Sequence, residues 1–271
     1  MGQDPVEKTK VVQFCQFCEG TGIIKNPDAY ITGENPITPC PKCVLPHCRC
    51  GGESPYLYAE NGKISECPCN PVRRRINRIN ALFSKSEIDK KYRWLFLSDF
   101  NVKTQADNKV KSAAYKIIHS FPDVSKGLFL WGNPGTGKTM ISAIILTELI
   151  SRYAVSGKYL KISRNFFGRL RSTFVEGSQM YGQSSQIERD LAEIDVLVVD
   201  DFGVQRDSPW EQETLYNLVD SRYEAEKFTI FTSNNNPAES MKELGGGRVL
   251  SRIKEMCYIM ELSGSDHREE K

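Results

Sequence analysis

Long hydrophobic runs are missing from this 271-residue chain. The longest, around Ile141 to Leu149 and Ile194 to Val199, fall well short of the roughly 20 apolar residues that a bilayer-spanning helix needs. No transmembrane segment and no membrane partner are therefore expected. A dominant charge is lacking too: 36 Lys and Arg against 34 Asp and Glu leave a formal net charge of +2. That excludes a global polycation, so any nucleic-acid contact must come from a local basic surface. The opening residues, Met1-Gly2-Gln3-Asp4-Pro5, lack the basic and apolar stretches of a secretory signal, and a cytoplasmic location is expected. Internal repeats and long low-complexity segments are absent as well.

Cysteine is nearly absent beyond residue 69: eight of the nine lie between Cys15 and Cys69, and only Cys257 stands apart. Clustered thiols in a reducing compartment point to metal rather than disulfides. The pairs Cys15/Cys18, Cys40/Cys43, Cys48/Cys50 and Cys67/Cys69 amount to two four-thiolate sets for Zn²⁺, with Gly20, Gly22, Gly51 and Gly52 beside them to form tight knuckles. Spacing leaves three arrangements open: consecutive sites, interleaved sites, or one zinc with four spare cysteines.

Residues 1–70, rich in Cys, Pro and Gly, could scarcely bury a sufficient core without metal, and form the expected zinc domain. Residues 71–92 follow as a basic linker helix carrying Arg73, Arg74, Arg75, Arg78, Lys85, Lys90 and Lys91, with Ile76, Ile79, Leu82 and Phe83 at helical spacing. Asn70 suits its N-cap and Pro71 its first turn. Its charged face reads either as a solvated surface or as a nucleic-acid contact. The remainder, 93–271, is the third expected segment. From Gly127 onward, short apolar runs alternate with helical patterns, which predicts an α/β fold: a mainly parallel sheet with helices on both faces. Residues 177–185 read as a mobile loop.

Residues Gly132, Asn133, Pro134, Gly135, Thr136, Gly137, Lys138 and Thr139 spell an intact phosphate loop. It follows the apolar run Leu128 to Trp131 and opens the helical pattern from Met140. Its glycines let backbone N–H groups turn toward a triphosphate, and the helix points its positive end at the same charge. Lys138 can neutralise the outer phosphates, and the Thr139 hydroxyl can ligate Mg²⁺.

Ile194 to Asp201 reads as a buried strand ending in two carboxylates. Beside a phosphate loop, Asp200 would hold Mg²⁺ and Asp201 would act as general base on the attacking water, unless both merely cap a turn. A second apolar strand, Phe228 to Ser233, ends at Asn234. Asn234 either orients water near the γ-phosphate or serves the turn formed with Asn235, Asn236 and Pro237. Arg248 and Arg252, four residues apart on an expected helix, either reach a neighbouring protomer's site or form surface salt bridges.

These residues together resemble the AAA+ P-loop ATPases, and within them the bacterial helicase-loader family of DnaC and DnaI, with IstB-type transposition helpers as relatives. The resemblance spans about residues 84–262. It rests on the phosphate loop, on V-L-V-V-D-D-F-G at 196–203, on T-S-N at 232–234 and on S-R-I at 251–253. It implies ATP hydrolysis that is slow outside an assembly, with Lys138, Asp201 and Asn234 catalytic and Arg252, ahead of Arg248, as an arginine finger supplied in trans. It further implies that Asp99 and Phe100 border the adenine, and that self-association runs through the ATPase domain. Single-stranded DNA would be met by Lys161, Arg164, Arg169 and Arg171, and a DnaB-type replicative helicase would be gripped by the zinc domain. The chain stops soon after Leu262, which leaves no expected helical lid or initiator-type DNA-binding domain. An IstB-like transposase helper and a zinc adaptor with a structural nucleotide are the alternative functions.

Overall fold

The computed structural model describes residues 15–26, 29, 35–162, 166–203, 208–240 and 247–264. Two compact units emerge, Met1–Ala81 and Leu82–Lys271. Among the described residues no helix is long and apolar enough to cross a membrane.

The first unit contains two small antiparallel hairpins: β1 (Ile23–Lys25) pairs with β2 (Ile37–Pro39), and β3 (Leu57–Glu60) with β4 (Lys63–Glu66). Two such ribbons cannot stand alone in water. Their burial pattern shows why: β3 and β4 bury no side chain, and Cys18, Cys40, Cys43, Cys67 and Cys69 take much of the interior beside Ile23, Ile37 and Val44. Thiols therefore occupy the place of a conventional apolar core.

Helix α1 (Asn70–Lys85) begins where the composition turns basic, and the division between the units falls inside it. Val72, Ile76, Ile79 and Phe83 are its buried positions, a stripe spaced three or four residues apart. The expected N-cap differs in detail. Asn70 is already helical, its Oδ1 is buried without a hydrogen-bond partner, and the Cys69 carbonyl accepts from the Arg73 N–H at 3.0 Å. The helix thus starts directly from the last cysteine knuckle. It ends at Lys85, short of Tyr92, and a separate 3₁₀ turn covers Lys90–Tyr92.

The second unit is built on a five-stranded, all-parallel sheet. Its strands are β5 (Gly127–Trp131), β6 (Gly157–Lys161), β7 (Val196–Asp200), β8 (Phe228–Ser233) and β9 (Cys257–Glu261), in the spatial order β6-β7-β8-β5-β9. Every residue of β7 and β8 is buried, as a parallel sheet covered on both faces requires. The helices are α2 (Gln105–Ser120), α3 (Lys138–Tyr153), α4 (Phe167–Ser172), α5 (Ser184–Glu193), α6 (Pro209–Glu224), α7 (Pro237–Ser240) and α8 (Arg248–Met256).

Two of these helices depart from the sequence pattern. Helix α5 begins inside the expected loop at 177–185 and runs on to Glu193. Helix α2 opens with a reciprocal cap: the Thr104 hydroxyl accepts from the Asp107 N–H at 3.1 Å, and Asp107 accepts from the Thr104 N–H at 2.8 Å. Arg222 on α6 is the largest fully buried side chain among the described residues. It donates to the carbonyls of Leu191, Ile194 and Phe228 and to the Thr229 hydroxyl, closing the C-terminal end of α5 against β8. Burial pushes its guanidinium down to about 9, with the Asp195 carboxylate acting in the opposite sense.

Candidate nucleotide site and thiol clusters

Strand order brings the chemistry together. β8 lies between β5 and β7, so the phosphate loop, the Asp200–Asp201 pair and Asn234 all sit at the C-terminal ends of neighbouring strands, where ligands bind in open α/β sheets. Register makes this tighter: Leu130 is level with Thr232, Trp131 with Ser233, and Val199 with Phe231.

The loop's glycines are required by contact and by torsion. A Cβ on Gly132 (φ +143°) would lie 2.3 Å from the Leu262 carbonyl oxygen, in the segment that pairs back through the Leu262 N–H to the Trp131 carbonyl. Gly137 (φ +92°) opens α3 in a left-handed conformation. Buried Lys138 donates to the Gly132 and Asn133 carbonyls, both at 2.7 Å, and Thr136 donates to the Asn133 carbonyl at 2.9 Å. The lysine is therefore held at the loop mouth by the loop itself. A triphosphate offers stronger acceptors in the same place.

Asp200 is fully buried and is held from two sides. The Thr139 hydroxyl donates to its Oδ1 at 3.2 Å, and the Thr232 hydroxyl donates to the same oxygen. Thr232 also accepts from the Asp201 N–H at 3.1 Å, and its carbonyl accepts from the Phe202 N–H at 2.7 Å. Asp201 is thereby turned out of the strand at φ +59° and is half-buried. Two adjacent acids thus face different surroundings: one is fixed inside the sheet end, the other stands at its rim. Sequence reasoning placed Thr232 only within a motif. Its hydroxyl, near the C-terminal end of a mostly apolar strand, was the available signal. Thr139 and Asp200 offer hard oxygen donors suited to Mg²⁺.

Asn234 is exposed immediately after β8. It lies in the bend between β8 and α7, where the nearby Asn236 Oδ1 accepts from the Ala238 N–H at 2.9 Å. Asp99 accepts from the Phe96 N–H at 2.8 Å within its own 3₁₀ turn, and Phe100 is buried. That turn is tied to α3 by Glu148, which accepts from the Leu97 N–H at 3.1 Å.

Arg252 folds onto its own unit. It is ion-paired with Asp220, donates to the Tyr216 hydroxyl at 3.0 Å and lies over the rings of Tyr216 and Tyr223 at 5.1 and 5.5 Å. Arg248 at the start of α8 is exposed. The expected DNA-facing cations are engaged as well: Lys161 pairs with Asp89, Arg169 with Glu87 at 2.7 Å and Arg171 with the buried Glu211. Arg164 lies outside the described residues.

In the first unit the thiols converge in sequence order. Cys15, Cys18, Cys40 and Cys43 form one group and Cys48, Cys50, Cys67 and Cys69 the other, with Sγ atoms within 4.8 Å of one another in each. The consecutive arrangement is thus the one the fold brings together, in place of interleaved sites. The shorter Sγ separations run from 3.4 Å (Cys67 to Cys69) to 3.8 Å (Cys15 to Cys40). Thiolates around a zinc with bonds of about 2.3 Å would be about 3.8 Å apart, so the donor sets fit that ion.

Backbone N–H groups of Gly22 and Arg49 reach Cys18 and Cys67 at 3.2 and 3.1 Å. A backbone hydrogen bond from Cys18 draws the Cys15 thiol down to about 7. For Cys67, burial raises the thiol, but the Arg49 N–H and the neighbouring cysteines outweigh it and bring it down to about 6.

Of the arginines of α1, Arg74 and Arg78 are exposed, whereas Arg73 and Arg75 are half-buried against the thiol knuckles. Arg75 donates to the Thr21 carbonyl at 2.8 Å in the first knuckle. Arg73 packs on Gly52 and lies over Tyr56 at 5.7 Å beside the second.

Comparison with known proteins agrees with this arrangement. The IstB-like ATP binding protein family profile matches residues 72–271. The replicative helicase loader DnaC of Escherichia coli K12 is 26% identical over 216 residues, covering 79% of this chain and 84% of that one. Among solved structures, the DnaC helicase loader superposes with a TM-score of 0.57 at 26% identity, over 65% of this chain and all (100%) of that one. A putative primosome component from Streptococcus pyogenes serotype M3 does so at 0.56 and 26%, over 70% and 98%. A match across the whole second unit, with the phosphate loop and Asp200 in place, fixes the relationship: this chain belongs to the IstB-like ATP binding protein family.

Proposed function

We propose that this chain hydrolyses ATP and loads a hexameric DnaB-type replicative helicase onto single-stranded DNA. One observation carries the reading: a P-loop, Asp200, Asp201 and Asn234 gathered at adjoining strand ends, in a chain 26% identical over 216 residues to a replicative helicase loader.

Lys138 exchanges the Gly132 and Asn133 carbonyls for the outer phosphates. Thr139 and Asp200 would hold Mg²⁺, which would supply neutralisation of the charge on those phosphates. Asp201 takes the proton of the attacking water and Asn234 orients that water; a new P–O bond forms at the γ-phosphorus as the bond to ADP breaks. Asp99 and Phe100 border the base. The two thiol sets would each hold one zinc ion, which would keep the first unit in the shape that grips the helicase.

Arg252 acts on the ATP of an adjoining protomer. Its contacts with Asp220, Tyr216 and Tyr223 are the resting position of that side chain, which is consistent with slow turnover outside an assembly. DNA phosphates displace carboxylates from Lys161, Arg169 and Arg171. Exchange is inexpensive for pairs such as Arg169–Glu87, because half-exposed ion pairs contribute little.

Affinity capture from the native cytoplasm, with ATP and then with ADP, tests this. Retention of a replicative helicase in ATP supports it. Retention of a transposase instead would move the chain to the transposition-helper branch.

A further inference from the structure

Tyr159 on β6 is 2% exposed, yet its hydroxyl has no hydrogen-bond partner. A buried hydroxyl left unpaired costs stability, and phenylalanine would fill the same volume without that cost. Packing alone therefore accounts for the ring and leaves the oxygen unexplained.

Its placement supplies the reason. β6 pairs with β7 so that Tyr159 stands opposite Val198. Side chains alternate along a strand, so Tyr159, Val198 and Asp200 project from one face of the sheet. The same face carries Thr232, which reaches Asp200 from β8, and it is met by the first turn of α3, from which Thr139 reaches Asp200. The phenol is accordingly neighbour to Asp200, Thr139 and Ser142. Ser142 is committed to the Thr139 carbonyl at 3.0 Å. Asp200 Oδ1 already receives Thr232 and Thr139, whereas Oδ2 has only a long contact of 3.5 Å with Thr139. One acceptor oxygen with spare capacity and one buried donor without a partner thus share the space behind the proposed metal ligands.

We infer that Tyr159 is a positioning residue for the metal-binding carboxylate: its hydroxyl donates to Asp200 in the nucleotide-bound state and keeps that side chain aimed while Thr139 turns its oxygen to the metal. This rests on the nucleotide reading given above. It assigns to the hydroxyl a task in metal affinity and none in folding.

Tyr159→Phe separates the two. Binding of a fluorescent ATP analogue is titrated against Mg²⁺ for wild type and variant, with thermal unfolding and binding in EDTA measured alongside. The Mg²⁺ concentration at half-saturation is expected to rise about tenfold, the usual scale for losing an outer partner of a metal ligand. Binding in EDTA is expected to stay unchanged, with a melting temperature equal to or above wild type. An unchanged Mg²⁺ dependence overturns the inference and leaves the nucleotide site intact. A lower melting temperature with binding in EDTA also lost, or an insoluble variant, overturns it by showing that the hydroxyl serves the fold. A wild-type chain that binds no nucleotide removes the nucleotide reading and this inference with it.

Discussion

The Thr232 hydroxyl donates to Asp200 Oδ1 while accepting from the backbone N–H of Asp201, so one side chain of β8 fixes both acids at the end of β7. Thr232→Val keeps the shape and removes both bonds. Hydrolysis is expected to fall about 10–100-fold, with nucleotide binding retained and stability lowered by about 1–3 kcal/mol. Single-turnover hydrolysis and thermal melts read these outcomes; wild-type turnover would show that the acids are held by other groups.

Gly132→Ala tests the close approach between the phosphate loop and the segment after β9. The added methyl would stand 2.3 Å from the Leu262 carbonyl oxygen, at a backbone φ of +143°. A loss of about 3 kcal/mol in stability is expected, together with loss of ATP binding. Retained affinity at wild-type stability would mean that the loop shifts without cost.

The thiol clusters predict two zinc ions per chain by elemental analysis, both released on acidification because the proton competes with the metal for each thiolate. Arg75 touches the first knuckle and Arg73 the second. Arg75→Ala is therefore expected to speed chelator-driven release of one zinc and leave the other at the wild-type rate. A uniform change in both, or a single zinc per chain, contradicts the assignment.

Arg252→Ala and Arg248→Ala, assayed for ATP hydrolysis across protein concentration, separate the two candidate arginines. Loss of a finger lowers turnover in the assembled state by about 10³-fold or more. Arg252→Ala is expected to do so and Arg248→Ala is not. Arg252→Ala also breaks the contact with Asp220, so melting temperatures are compared at low concentration, where a finger has no effect. Equal activity of Arg252→Ala and wild type under assembling conditions would remove the role in trans.

Legibility in the sequence tracks how local each signal is. β5, α3 and β8 are marked by the phosphate loop and by two mostly apolar runs. Helix α2 escapes sequence reading although Thr104 and Asp107 form a capping box and Val110, Ala114, Ile117 and Ile118 lie on one buried stripe. The signal is present, but polar stretches between those positions dilute it. The clustered cysteines are identifiable one by one, whereas their grouping depends on how two hairpins fold back, which spacing does not encode. Arg73 and Arg75 look like a charged surface because sequence shows the cation and hides the carbonyl or turn it meets. The same reason conceals the ion pairs of Lys161, Arg169 and Arg171. Tyr159 reads as one more apolar residue of a strand, since only the register with Val198 reveals which face its ring shares with Asp200.

The most direct measurement is transfer of a purified replicative helicase onto single-stranded DNA coated with its binding protein, followed by DNA unwinding. Zinc-replete wild-type chain with ATP is expected to support transfer, and Lys138→Ala is expected to abolish it. Helicase that remains off the DNA with the wild-type chain, or transfer that proceeds equally well with Lys138→Ala, would contradict an ATP-dependent loader.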